Sequence, residues 1–299
     1  MKILVTGSNG FVGQHLGRYL AEQGHEIHPF DIKNGEFQDL TSYECVRRAI
    51  DIVRPDKIFH LAALTYVPES FLDARRAFEL NTLGSLNILE AVRHIGLKTK
   101  IHMAGTSEEY GDTSEADEPI TEKSLPNPLS PYAISKLSMD LLGRLYARSY
   151  NMNVVITRAY NHCGPGRGEE FAESAFAKQI VEIENGRRDI LRHGNLESVR
   201  NYTDVRDIVR AYALAIDLPS DVYNICSDRN VTMQEMMDIL KKNAKCEIKT
   251  EVDKNLYRPA DFSFKKPSCE KFKKLTDWKP EIKLEDTLAD ILNDWREKL

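Results

Sequence analysis

Little in this sequence points to a membrane, a disulfide scaffold or a metal. Although 41% of its 299 residues are hydrophobic, no stretch approaches the roughly 20 apolar residues that a membrane span requires. The five cysteines (Cys45, Cys163, Cys226, Cys246, Cys269) are scattered, odd in number and form no Cys-x-x-Cys pair, so neither a disulfide framework nor a zinc site is indicated. Charge of one sign is not in excess, since Lys+Arg less Asp+Glu is 41 − 46 = −5. That balance excludes a disordered chain and argues against phosphate-backbone binding as the main task. No long repeat or low-complexity tract appears. The start, Met1-Lys2-Ile3-Leu4-Val5-Thr6-Gly7, reaches a glycine loop too early for a signal peptide. The expectation is a cytoplasmic globular protein of roughly two domains, with no nucleic-acid, membrane or metal partner.

What is present is an alternation of short apolar runs with longer amphipathic ones. Residues 2–5, 26–30, 57–63, 100–104 and 153–159 read as strands; 11–23, 43–53, 73–95 and 132–150 read as helices. Short buried runs alternating with helices predict an α/β fold of the Rossmann type, a doubly wound parallel sheet covered on both faces. The regularity fades after about residue 160, where Cys163-Gly164-Pro165-Gly166-Arg167-Gly168-Glu169-Glu170 reads as a loop leaving the sheet. Beyond it, helices are expected over 172–185, 232–243 and 284–295 and strands over 222–225 and 246–252. The predicted division is a coenzyme-binding domain over 1–162, rejoined at about 200–224, and a smaller mixed α/β C-terminal substrate domain from 163–199 and 225–299.

Thr6-Gly7-Ser8-Asn9-Gly10-Phe11-Val12-Gly13 follows the first strand and opens the first helix. Glycines at 7, 10 and 13 tighten the turn, admit backbone N–H groups to a pyrophosphate and let helix and sheet approach. The positive end of the helix then faces the phosphates. Asp31 closes the second strand, where a carboxylate accepts hydrogen bonds from an adenosine ribose and repels a 2′-phosphate. This favours NAD(H), although Lys33 nearby keeps NADP(H) open, and a turn or capping role for Asp31 is the plainer alternative. Asp39-Leu40 is expected to begin the next helix and cover the adenine, or Asp39 merely to cap.

Tyr132-Ala133-Ile134-Ser135-Lys136 places a phenol and an ammonium one helical turn apart on one face. Such an ammonium stabilises phenolate, lowers the tyrosine pKa and lets it exchange a proton with a substrate alcohol or ketone. Thr106-Ser107-Glu108-Glu109-Tyr110-Gly111 follows the fourth strand, at the carboxyl edge where open α/β sheets bind ligands.

The glycine loop, His60-Leu61-Ala62-Ala63, Asn81, Thr106-Ser107-Glu108 and Tyr132…Lys136 together resemble the extended short-chain dehydrogenase/reductase family acting on nucleotide sugars, over essentially the whole chain. The resemblance implies Tyr132 as acid/base, Lys136 as its orienting partner, Thr106 at the reacting oxygen, and Asn81 supporting their helix. It implies coenzyme contacts from Gly7, Asn9, Gly10, Phe11, Val12, Gly13, Asp31, Ile32, Asp39, Leu40, Leu61, Ala62, Ala63, Asn81, Tyr132 and Lys136. Substrate contacts fall to Ser107, Asn161, Lys178, Arg200 and Arg258, the two arginines suiting bidentate diphosphate contact. His60 reads as a core residue at a strand end.

The stretches 161–165, 178–181 and 194–207 are similar to the branch handling GDP-mannose and its 4-keto-6-deoxy derivative. Thr106 and Glu108 keep the Thr-x-Glu spacing of a 4,6-dehydratase, while Gly10-Phe11-Val12-Gly13 and the short Asp31-Ile32-Lys33-Asn34-Gly35 resemble a ketoreductase. The expectation is an NAD(P)H-dependent oxidoreductase that delivers hydride to C4 of a nucleotide-linked 4-keto-6-deoxy sugar. A 4,6-dehydratase using Thr106, Glu108 and Tyr132, a C4 epimerase and a non-catalytic NAD(P)-sensing protein are the alternatives. Phe171-Ala172-Glu173 stands where that branch has Phe-Val-Thr, so the base is open between guanine, paired by Glu173, and another. The helices over 73–95 and 132–150 resemble a four-helix homodimer interface, or they simply cover the sheet.

Overall fold

The computed structural model describes residues 1–32, 38–113, 118–257 and 266–299. The first part runs β1 (Lys2–Thr6), α1 (Phe11–Glu22), β2 (Glu26–Phe30), α2 (Tyr43–Val53), β3 (Lys57–His60), α3 (Val67–Leu72), α4 (Ala74–Phe78), α5 (Gly84–Ile95), β4 (Lys100–Ala104), α6 (Pro131–Tyr150) and β5 (Asn153–Ala159). The second runs β6 (Asn161–Cys163), α7 (Ala172–Glu184), β7 (Leu191–His193), β8 (Val199–Asp204), α8 (Val205–Ala215), β9 (Val222–Ile225), β10 (Asn230–Thr232), α9 (Met233–Lys242), β11 (Thr250–Val252), α10 (Glu270–Thr276) and α11 (Leu284–Lys298).

Six parallel strands form one sheet in the order β2-β1-β3-β4-β5-β9. Alternate residues supply its two faces, as the strand period requires. Ile3, Val5, Phe59 and Val155 pack with Leu16 and Leu20 of α1 and with Ile208, Val209 and Tyr212 of α8. Leu4, Ile58, Val154 and Ile156 pack on the other face with Val46 and Ile50 of α2, Ile88 and Leu89 of α5 and Met139 of α6. A third core joins α7, α9 and α11 through Phe176, Ile180, Met236, Leu240, Leu288 and Ile291. Smaller sheets, β10-β8-β6 and β11-β7, accompany it.

The chain reverses across the sheet at β1, with β2 on one side and β3 on the other. Ligands of open α/β sheets bind in the crevice at such a point, outside the carboxyl ends of the strands.

Several elements differ from expectation. β3 stops at His60, because the N–H groups of Leu61 and Ala62 turn onto Thr6 Oγ1, each at 3.2 Å. The helix expected over 73–95 is broken into α4, a π-helical turn (Glu79–Leu83) and α5. That turn frees Asn81 to accept Leu64 N–H at 2.8 Å and to donate to Ser135 Oγ of α6 at 2.9 Å. The strand expected over 246–252 is only Thr250–Val252. Asp39 does not begin a helix: Oδ1 accepts from Thr41 N–H and hydroxyl, both at 2.8 Å, and Ser42 caps α2.

Candidate active site

A cleft of about 870 Å³ opens along the carboxyl edge of the sheet, near the upper end of the about 300–1,000 Å³ usual for ligand sites. One wall carries Gly7, Gly10, Phe11, Val12, Gly13, Asp31, Ile32, Asp39, Leu40, Leu61, Ala62 and Ala63. Gly7 has φ +69°, and a Cβ there would lie 2.8 Å from Ala62 N. A Cβ on Gly13 would lie 2.1 Å from Gly7 O, so only glycine lets α1 sit so tightly behind the loop. No side chain caps α1 at Gly10, which leaves first-turn N–H groups for a ligand anion. Asn9 does not line the cleft; its N–H binds Asp31 Oδ2 at 3.0 Å and holds that carboxylate at the wall. This backbone cradle fits a dinucleotide pyrophosphate.

Buried polar contacts fasten that wall from behind. Thr6 Oγ1 lies 2.8 Å from His60 Nδ1, and His60 Nε2 lies 2.8 Å from Ser85 Oγ, which donates to Asn81 O at 2.5 Å. Burial lowers the His60 pKa to about 3, so the ring is neutral: it accepts from Thr6 and donates to Ser85.

The chemical centre is on the floor. Ser130 caps α6, with Pro131 in its first turn, and this sets Tyr132 in the cleft. Thr106 Oγ1 accepts Glu108 N–H at 3.3 Å and its hydroxyl faces the Tyr132 phenol, while Thr106 N–H donates to Glu109 Oε1 at 3.0 Å. Thr106 and Glu108 line the cleft; Ser107 is buried behind them. Burial pushes the Tyr132 pKa well above its usual value; the Thr106 hydroxyl and the Arg167 charge oppose that rise, and Glu108 and Glu109 add to it. Lys136 Nζ is buried, 3.5 Å from Met139 Sδ, and burial lowers its pKa to about 8. Arg167 adds a cation that favours phenolate.

The facing wall comes from 160–176, β7, β8 and the segment after β11. Asn161 and Arg200 line it, and Arg200, 9% exposed, donates to Val199 O at 2.8 Å. Lys178 does not reach the cleft. Ala172, Ala175, Phe176 and Gln179 turn the inner face of α7 to the cavity, whereas Lys178 pairs with Glu169, itself at the cavity, and with Glu182 at 3.7 Å. Arg258 lies outside the described residues, as does Lys33. Sequence reasoning missed Arg167, His162 and Tyr66. The Arg167 guanidinium lies 3.4 Å from the Phe171 ring centroid and 4.8 Å from that of Phe11, with Glu173 Oε1 at 3.6 Å. His162 stacks on Phe11 at 6.3 Å, and Tyr66 meets Phe171 edge-on at 6.0 Å. The signal was faint: an arginine four residues before an aromatic helix start.

The family model for GDP-mannose 4,6-dehydratase matches residues 33–291. This chain belongs to the GDP-mannose 4,6-dehydratase family. Within that family's reach, it is 32% identical to GDP-6-deoxy-D-mannose reductase of Pseudomonas aeruginosa, over 100% of this chain and 98% of that one. The solved structure of RMD from Pseudomonas aeruginosa complexed with NADPH superposes with a TM-score of 0.90 at 31% identity, covering 100% of this chain and 99% of that one. The Thermus thermophilus UDP-glucose 4-epimerase complex with NAD gives 0.88 at 29% identity, covering 100% of both chains. The GDP-mannose 4,6-dehydratase family fold thus accounts for the whole chain.

Proposed function

We propose that this protein is an NAD(P)H-dependent C4 ketoreductase of a GDP-linked 4-keto-6-deoxy sugar. The observation that carries the reading is the Tyr132 phenol beside the Thr106 hydroxyl on the cleft floor, between the glycine-loop wall and the arginine wall. Similarity to the Pseudomonas reductase over the full chain supports it.

A bound NAD(P)H supplies the hydride. Tyr132, kept protonated by burial, gives its proton to the oxygen at C4, and the Thr106 hydroxyl steadies that oxygen as charge develops. Asn81, through Ser135, fixes α6 and so the phenol. Arg200 and Asn161, with Arg258, hold the sugar diphosphate, while the N–H groups at Gly10–Gly13 and Arg167 hold the coenzyme pyrophosphate. Asp31 takes the adenosine ribose, which favours NADH over NADPH. The coenzyme part comprises 1–162 and about 200–224, the substrate part 163–199 and 225–299.

A 4,6-dehydratase remains the second reading, because Glu108 lines the cleft beside Thr106 and Tyr132 at the Thr-x-Glu spacing. Incubation with GDP-mannose, and separately with GDP-4-keto-6-deoxy-mannose plus NADH or NADPH, decides between them. Coenzyme oxidation only with the keto sugar is the expected result. A 4-keto product from GDP-mannose, without net coenzyme change, rejects the reductase.

The same reading includes a homodimer. Ile134, Leu141 and Leu145 stand along one face of α6, 42%, 52% and 46% exposed, beside Leu83 at 50%. Burying such a stripe against its symmetry mate removes apolar surface from water. Sedimentation velocity is expected to give a dimer; a monomer at micromolar concentration rejects it.

A further inference from the structure

Beneath the Tyr132–Thr106 pair lies a buried set of charges that the scheme above leaves idle. Glu109 is completely buried. Its Oε1 accepts Thr106 N–H at 3.0 Å, and its Oε2 lies 2.8 Å from Arg158 Nε. Arg158, 2% exposed, reaches Asp140 Oδ2 at 3.0 Å through Nη2, and Asp140 Oδ1 lies 2.7 Å from Arg144 Nε. Two buried carboxylates therefore share one buried guanidinium, a few residues along α6 from Lys136. The molecule contains its own control. Thr232 and Glu235 make the same reciprocal cap at α9, but at the surface, where water meets every charge. Burying the cap under the cleft carries a desolvation cost that capping alone does not require.

We propose that Glu109 is a positioning residue of the active site: anchored by Arg158, its carboxylate fixes Thr106 against Tyr132 and sets the field in which Tyr132 and Lys136 hold their protons. The proposal rests on Tyr132 as proton donor. A carboxylate at this depth disfavours phenolate at Tyr132 and favours the ammonium at Lys136. Both effects keep a proton available to a residue that must give one away. The other groups facing this cluster are Asp140 and Arg144 of α6, Arg158 of β5, Glu108 and Tyr110 of the same turn, Arg167 opposite, and neutral His102 of β4. Burial and Asp140 raise the Glu109 pKa to about 8 against the pull of Arg158, so its carboxylate is charged in the basic range where the Tyr132 proton is lost.

Glu109→Gln keeps the shape and an accepting oxygen but removes the charge. Asp140→Asn removes the other carboxylate on Arg158 and leaves that guanidinium less neutralised beside Glu109. The measurement is the pH dependence of kcat/KM for reduction of the 4-keto sugar, with NADH saturating. Loss of the Tyr132 proton ends activity at high pH. That basic limb is expected to move down by roughly one pH unit in Glu109→Gln and down by less in Asp140→Asn; either variant that folds decides by its own shift. A merely structural cap changes thermal stability and leaves the limb in place. An unmoved limb, or an upward shift in either variant, overturns the proposal. Tyr132→Phe is run alongside: if it is inactive while the limb stays put, only the role of Glu109 falls, whereas wild-type activity in it overturns both this proposal and the proton-donor reading.

Discussion

On the glycine-loop wall of the cleft the recognition groups are backbone N–H donors, fixed by packing so close that Gly13 has no room for a methyl group. The facing wall presents side chains instead: Arg167 between two rings, Glu173 beside it, and Arg200 tethered to its own strand. A backbone wall offers one geometry and suits a ligand shared by many relatives. A side-chain wall can be re-specified by one substitution. Tyr132 lies where the walls meet.

The largest effect is expected at that junction. Tyr132→Phe removes one oxygen from a buried ring and should lower turnover by roughly 10²–10⁴-fold, the range of a lost acid/base group. Circular dichroism and coenzyme affinity should stay as in the wild type, since neither wall is disturbed. Steady-state turnover within tenfold of the wild type would remove the phenol from the mechanism.

The difference between the walls also explains what could be read before the structure. β1, β2, β4 and β5 and the turn Gly7–Gly13 were legible because strands of Val, Ile and Leu and glycines at fixed spacing are local signals. Arg167 was not, because its role depends on Phe11 far upstream and on Phe171. α8 escaped because 194–207 was read for its motif rather than its period, though Ile208, Val209 and Tyr212 repeat along one buried face. Spacing on a helix shows that the Tyr132 and Lys136 side chains share a face, not where the longer one ends, and Lys136 Nζ ends against Met139 Sδ.

Separability of the walls is tested next by Arg200→Ala. A buried, charge-assisted contact to a diphosphate is worth about 1.5–3 kcal/mol, so KM for the nucleotide sugar should rise about 10- to 150-fold, with kcat little changed. Coenzyme affinity, measured by titration of the free enzyme, should not move. A parallel loss of coenzyme affinity would show that the walls act as one unit, through the Phe11–Arg167–Phe171 contacts.

The smallest expected effect sharpens the assignment of α7. Lys178→Ala removes a cation that pairs with Glu169 and Glu182 and lies over the Trp295 ring at 5.7 Å. Exposed ion pairs of this kind contribute about 0–1 kcal/mol to stability, and a surface change within about 0.5 kcal/mol leaves KM within about twofold. A tenfold rise in KM instead requires α7 to rotate when substrate binds. Phe176 and Gln179, which now face the cavity, then leave it, and the side-chain wall is shaped by the ligand rather than waiting for it.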